Sequence, residues 1–104
     1  MAEATGSKSD LEKIAVDLLP PFSLLGIARV FGFGARKYAR FNYRGGIEYL
    51  RLYGAALRHL FSWYMREDND PETGESHLLH AMCSIIMLHE MTKIRPDLDD
   101  RPTT

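Results

Sequence analysis

The chain has 104 residues, 45% hydrophobic and 11% aromatic, which supports one core and not two. Its single cysteine, Cys83, rules out a disulfide framework within the chain and fits a reducing compartment. No apolar run nears the roughly 20 residues of a membrane span, so a cytoplasmic protein with no membrane partner is expected. The net charge of −1 conceals a division, with −2 over residues 1–28, +7 over 29–66 and −6 over 67–104. A basic middle facing an acidic end serves either self-neutralisation across a hairpin or a nucleotide site, with cations for phosphate and carboxylates for a divalent ion.

Residues 1–9 are small and polar and are expected to be disordered. Asp10 to Leu19 spaces Leu11, Ile14 and Leu18 along one helical face, but Pro20-Pro21 stops it, giving a short helix or a docked extended arm. Phe22 to Ala39 carries Leu24, Leu25, Ala28, Phe31 and Ala35 at three and four residue steps, an amphipathic helix. Gly32 and Gly34 weaken it by about 1 kcal/mol each relative to alanine, so they are expected to serve close packing or close approach of a ligand. Phe41 to Gly46 (FNYRGG) reads as a loop.

Ile47 to Arg66 predicts a long helix with two apolar flanks. One is Ile47, Leu50, Gly54, Leu57, Phe61 and Tyr64, suited to packing against another long helix; the other is Leu52, Ala56, His59 and Trp63. Between them Arg51 and Arg58 flank the small Ala55 and Ser62, leaving room for an anion. Ser76 to Ile94 is a helix apolar almost all round, with Ser76 as N-cap, ending at Arg95-Pro96 before a loose acidic tail over 96–104. The expected fold is all-α: one helical domain over 10–95, built from two long antiparallel helices and a shorter N-terminal helix across them. It offers more apolar surface than one small domain can cover, so a homo-oligomer is expected to complete the bundle.

The stretch from Arg66 to Ala81, REDNDPETGESHLLHA, sits between the long helices and sets five carboxylates ahead of His77 and His80. Asp70-Pro71 and Thr73-Gly74 are turn formers, and anions before a helix oppose its dipole, so it reads as a solvated turn. It also reads as a metal rim: His77 and His80 share a helix side, Glu67 and Glu75 meet across the hairpin, and Asp70 adds a carboxylate. Hard oxygen donors point to Mg²⁺ or Mn²⁺. In FGFGARKYARFNYRGG, glycines allow close approach, Arg36, Lys37, Arg40 and Arg44 suit phosphate, and Tyr38 and Tyr43 can stack on a base, with a solvated basic loop as the plain alternative. Arg51 and Arg58, two turns apart with His59 adjacent, form a candidate phosphate clamp. Cys83 has no activating neighbour in sequence and reads as a small core residue.

In order and spacing, LLPP, FGARKY, FNYRGG, AALRHLFSW and EDNDPETGESHLLHA, followed by an apolar helix, resemble the small, mostly phage-encoded N-terminal domains of dATP/dGTP diphosphohydrolases. These are distantly similar to MazG-like all-α nucleotide pyrophosphohydrolases. The resemblance implies a purine nucleotide or nucleotide-derived signal as ligand, bound in a host cytoplasm by a phage protein. Arg36, Lys37, Tyr38, Asn42, Arg44, Arg51 and Arg58 are then candidates for nucleotide and phosphate, Glu67 and His59 for catalysis, and Glu67, Asp70, His77 and His80 for a metal. The chain departs from the MazG pattern of paired inward carboxylates: Glu48 is followed by Arg51 and the last helix offers only Glu90. Two functions are open: metal-dependent cleavage of a purine deoxynucleoside triphosphate to the monophosphate and pyrophosphate, or non-catalytic sequestration of a nucleotide messenger of host defence. Nucleic acid fits the acidic end poorly.

Overall fold

The computed structural model describes residues 3–7 and 12–104. Three α-helices of nearly equal length follow one another: α1 Pro21–Lys37, α2 Tyr49–Tyr64 and α3 His77–Ile94. α1 begins with proline at its first position, where the ring costs no hydrogen bond, and carries Arg36 and Lys37 in its last turn, where cations complement the dipole. Phe41 then takes a left-handed conformation (φ 60°) and leads into a 3-10 turn, Asn42–Gly45. Gly46 (φ 114°) redirects the chain into α2; a Cβ there would also lie 2.8 Å from Leu98 Cδ1, so side chains are barred by both conformation and space.

α2 ends in a Schellman motif whose left-handed residue is Arg66 (φ 75°) instead of glycine. The Arg66 amide donates to the Trp63 carbonyl and the Glu67 amide to the Ser62 carbonyl, both at 3.0 Å. α3 starts as its sequence predicts, with Ser76 Oγ accepting from the Leu78 amide at 3.0 Å.

α2 and α3 form an antiparallel hairpin, and α1 packs on α3. Gly26, rather than Gly32 or Gly34, makes that second contact tight: a Cβ on it would lie 2.6 Å from Leu79 Cδ1, whereas one on Gly34 would meet nothing within 4 Å. The core gathers Tyr49, Leu52 and Met91, with Tyr43, Ile47, Met87, Leu88 and Leu98 packed against them. Tyr49 Oη donates to the Met91 carbonyl at 3.3 Å, so the buried hydroxyl is satisfied.

Two expectations need correction. The flank of α2 that is buried is Leu52, Ala56 and His59's side, while Phe61 is 60% and Tyr64 81% exposed; the apolar spacing marks both faces and only one meets α3 within the chain. No regular helix precedes Pro21 among the described residues: Val16–Leu18 form a single 3-10 turn, Ile14 and Leu18 are exposed, and Asp10 and Leu11 lie outside the described residues. Of the nine residues expected to be disordered, 3–7 carry no helix or strand and are exposed, and the others lie outside the described residues.

The segment after α3 is not loose. Arg95 Nη1 donates to the Gly45 carbonyl at 2.8 Å, Asp100 Oδ1 accepts from the Leu50 amide at 2.9 Å, and the Arg101 guanidinium stands over the Tyr49 ring. Asp100 thereby caps α2, whose own N-cap, Glu48, makes no side-chain capping bond. No helix among the described residues is long and apolar enough to cross a membrane.

Candidate active site at the hairpin tip

The tip of the α2–α3 hairpin is built by backbone hydrogen bonds across REDNDPETGESHLLHA. The Asp70 amide donates to the Glu75 carbonyl at 2.8 Å and the His77 amide to the Asp68 carbonyl at 2.9 Å. Asp70 Oδ1 accepts from the Glu72 and Thr73 amides at 2.8 and 3.2 Å, an Asx-type turn beginning at the Asp-Pro pair. Gly74 (φ 74°) closes it. The same turn turns the Asp70 carboxylate toward α2 and α3, so the stretch is an ordinary turn and a side-chain platform at once.

Three potential ligand atoms, one each from His59, Asp70 and His77, lie within 4.8 Å of one another. His59 Nδ1 and His77 Nδ1 are 2.8 Å apart, and the other nitrogen of His77, Nε2, is 2.7 Å from Glu67 Oε1. His77 is buried, so its ring cannot swing away. His80 stacks on His59 with ring centroids 4.6 Å apart and an interplanar angle of 16°, and its Nε2 is 2.7 Å from Thr73 Oγ1.

This electrostatic setting favours uncharged rings. Burial pushes the His59 pKa below its ordinary value, helped by His80 and His77 and also by Arg58. Burial likewise lowers His80, against the opposing pull of Asp70. Burial alone would raise Asp70, but the amide hydrogen bonds from Glu72 and Thr73, with the neighbouring His80 and His59, bring it below the usual carboxylate range. Neutral imidazoles and an ionised carboxylate are the protonation states a cation requires.

The donor set fits a divalent ion, and differs in detail from the set read off the sequence. His59, Asp70 and His77 converge. Glu67 instead holds the far nitrogen of His77, the outer-shell arrangement that fixes a ligating imidazole. His80 buttresses His59 and bonds Thr73. Glu75 pairs with Arg29, whose Nε donates to Oε1 at 2.6 Å, and Glu72 pairs with Lys37 at 3.0 Å. Both pairs tether α1 to the tip. Thr73 and Arg29 escaped sequence reasoning because neither carries a motif; Arg29 could be matched to Glu75 only once α1 was known to lie against the tip.

The basic candidates divide. Arg51 is exposed and bonded to Glu48, the N-cap residue of its helix, at 3.2 Å. Arg58 is exposed and within electrostatic reach of His59. Arg36 lies over Phe33 and Lys37 over Tyr38, while Arg40 and Arg44 both lie over Phe41, with the Arg44 guanidinium 4.5 Å from the ring centroid. Beside them runs a groove of about 480 Å³ between α1, the Asn42–Gly45 turn and α3. Cys83 forms part of its wall; its thiol is buried, is pushed up to about 12 by that burial, and reaches the Ile27 carbonyl at 3.5 Å, so it is an inert packing group.

The class these features define is an all-helical domain with a histidine–carboxylate cluster at the tip of a helical hairpin and an aromatic groove beside it. The chain belongs to the family of the dATP/dGTP diphosphohydrolase N-terminal domain, whose model matches residues 3–101. It is 35% identical over 97 residues to a dATP/dGTP diphosphohydrolase of Salmonella phage PMBT28, a match covering 93% of this chain and 33% of that relative. The chain thus spans about a third of the length of the curated relative. No solved structure matches it.

Proposed function

We propose that this domain binds a purine deoxynucleoside triphosphate and, with a divalent ion at His59, Asp70 and His77, hydrolyses it to the monophosphate and pyrophosphate. The observation that carries the reading is the convergence of those three donors within 4.8 Å. Two imidazoles and one carboxylate suit Mn²⁺ and its transition-metal neighbours better than Mg²⁺, which takes oxygen donors. When bound, such an ion would supply Lewis-acid polarisation of a phosphoryl oxygen and acidify a water molecule.

The chain's own residues do the rest. Glu67 sets the orientation of His77 through Nε2, and Thr73 that of His80. Burial keeps His59 and His80 uncharged near neutral pH, which leaves His59 able to hold the ion and His80 able to take up a proton. Arg58 beside His59, with Arg44 over Phe41, would hold phosphate oxygens by charge-assisted hydrogen bonds. Glu48 is committed to Arg51 and Glu90 is exposed, so no inward carboxylate quartet of the MazG kind forms among the described residues. That absence also suits a second reading, in which the same pocket sequesters a nucleotide messenger without cleaving it.

A panel of nucleotides incubated with Mn²⁺, with Mg²⁺ and with chelator separates the two. Pyrophosphate released from dATP or dGTP only with metal, and lost in both His77→Ala and His59→Ala, is the expected outcome. Glu67→Gln should weaken metal binding by about 10- to 100-fold without abolishing it, as an outer-shell partner does. Tight nucleotide binding that is unchanged by chelator and yields no product would establish the sequestering protein instead.

A further inference from the structure

The groove between α1 and the Asn42–Gly45 turn has the chemistry of a nucleobase site, and its recognition logic can be read from two side chains. Its walls are predominantly apolar, with Phe31, Tyr38, Phe41 and Tyr43 as aromatic surfaces. Phe31 and Tyr43 brace each other edge to face with centroids 5.9 Å apart. A Cβ at Gly34, which lines the groove, would meet nothing within 4 Å, so the space beside it is open. At about 480 Å³ the groove falls within the range of small-ligand sites. Asn42 and Arg40 line it too, and neither side chain makes a hydrogen bond or ion pair with the described residues.

An asparagine carboxamide offers a donor and an acceptor side by side, which matches the adenine N6 and N7 edge. An arginine fork offers paired donors, which match guanine O6 and N7. Both therefore converge on N7, an atom that purines have and pyrimidines lack. Cys83 in its wall stands three residues along α3 from His80, about 4.5 Å of helix rise, on the side of the groove nearer the hairpin tip. A ligand with its base in the groove would extend its phosphates along α3 toward the hairpin tip.

We propose that this groove is the base subsite, that its aromatic walls stack the base, and that Asn42 and Arg40 select purines through the N7 edge. The inference rests on the phosphate and metal reading above, and its test is arranged so that the two can fail separately. With Mn²⁺ present and binding measured by calorimetry, wild-type protein is compared on dATP, 7-deaza-dATP, dCTP and inorganic triphosphate, the last having no base.

The subsite is supported if replacing N7 by carbon weakens binding roughly tenfold or more, dCTP binds as weakly, and Asn42→Ala abolishes the preference for dATP while inorganic triphosphate binds it as before. Asn42 is exposed in the turn, so its loss should leave the fold intact, which the melting temperature checks. A second variant, Gly34→Leu, fills the groove from a helix position where leucine is favoured; it should exclude dATP and spare inorganic triphosphate. Equal affinity of wild type for dATP, 7-deaza-dATP and dCTP, or unimpaired dATP binding by Gly34→Leu, overturns the subsite and leaves the metal and phosphate site standing. Failure of wild type to bind inorganic triphosphate or any nucleotide overturns both.

Discussion

At the scale of single residues, most of the chemistry lies in where protons sit. His59 and His80 are held below their ordinary pKa by burial first and by neighbouring charge second. For a group depressed in this way, the neutral form stabilises the fold fully above the unfolded imidazole value of about 6.5, and that stability is lost as pH falls through the folded values. The melting temperature of metal-free protein should therefore drop as pH is lowered from about 7.5 to about 5.5, and the double change His59→Gln with His80→Gln should flatten the slope. Arg66 offers a test of a different kind, because a left-handed residue with a Cβ costs roughly 1 kcal/mol where glycine costs little. Arg66→Gly should raise stability by about that amount in a denaturant titration, with the Trp63 and Ser62 carbonyls still capped.

At the scale of elements, start and stop signals were legible and the choice of buried face was not. Ser76 ahead of α3 and the Arg95-Pro96 stop are local chemistry and act where the sequence places them, whereas Pro21, read as ending an earlier segment, instead opens α1. The buried flank of α2 is decided by its partner: both flanks have helical spacing, and α3 covers the one containing Leu52 and Ala56. Within the site, His59, Asp70, His77 and His80 were legible as chemistry-bearing types, whereas the division of Glu67 into a support for His77 depends on a contact across ten residues of turn. The docked C-terminal segment was illegible because acidic, proline-bearing sequence looks solvated until a helix start is found to need a cap. Asp100→Ala should destabilise the domain by about 1 kcal/mol, the usual worth of a helix cap, and should raise amide exchange at Leu50. No change in that amide would show that water caps α2 equally well.

The whole molecule exposes 8551 Å², against about 6,000 Å² for a compact chain of its 11.9 kDa. Large apolar side chains contribute to it. Leu50, Tyr53, Phe61 and Tyr64 on α2 and Leu78 and Ile85 on α3 are all exposed, and Leu50 and Tyr53 share one groove with Leu88 and Thr92 of α3. A second copy laid on this face would complete a four-helix bundle, provided it buries the roughly 800 Å² per partner that a stable interface needs. Sedimentation at micromolar concentration should give a dimer or larger species, and Phe61→Glu should shift it to monomer; a monomeric wild type would overturn the expected homo-oligomer.

The tether of Asp100 and Arg101 to the start of α2 also fixes where the polypeptide leaves the domain. That point is at the opposite end of the hairpin from the histidines, ten residues and about 15 Å of helix rise below His59. Any segment joined after Thr104 would therefore emerge at the base of the hairpin with the tip unobstructed. A bulky fluorescent protein appended there should leave nucleotide and metal affinity unchanged, while the same cargo spliced in at Gly74 should abolish both.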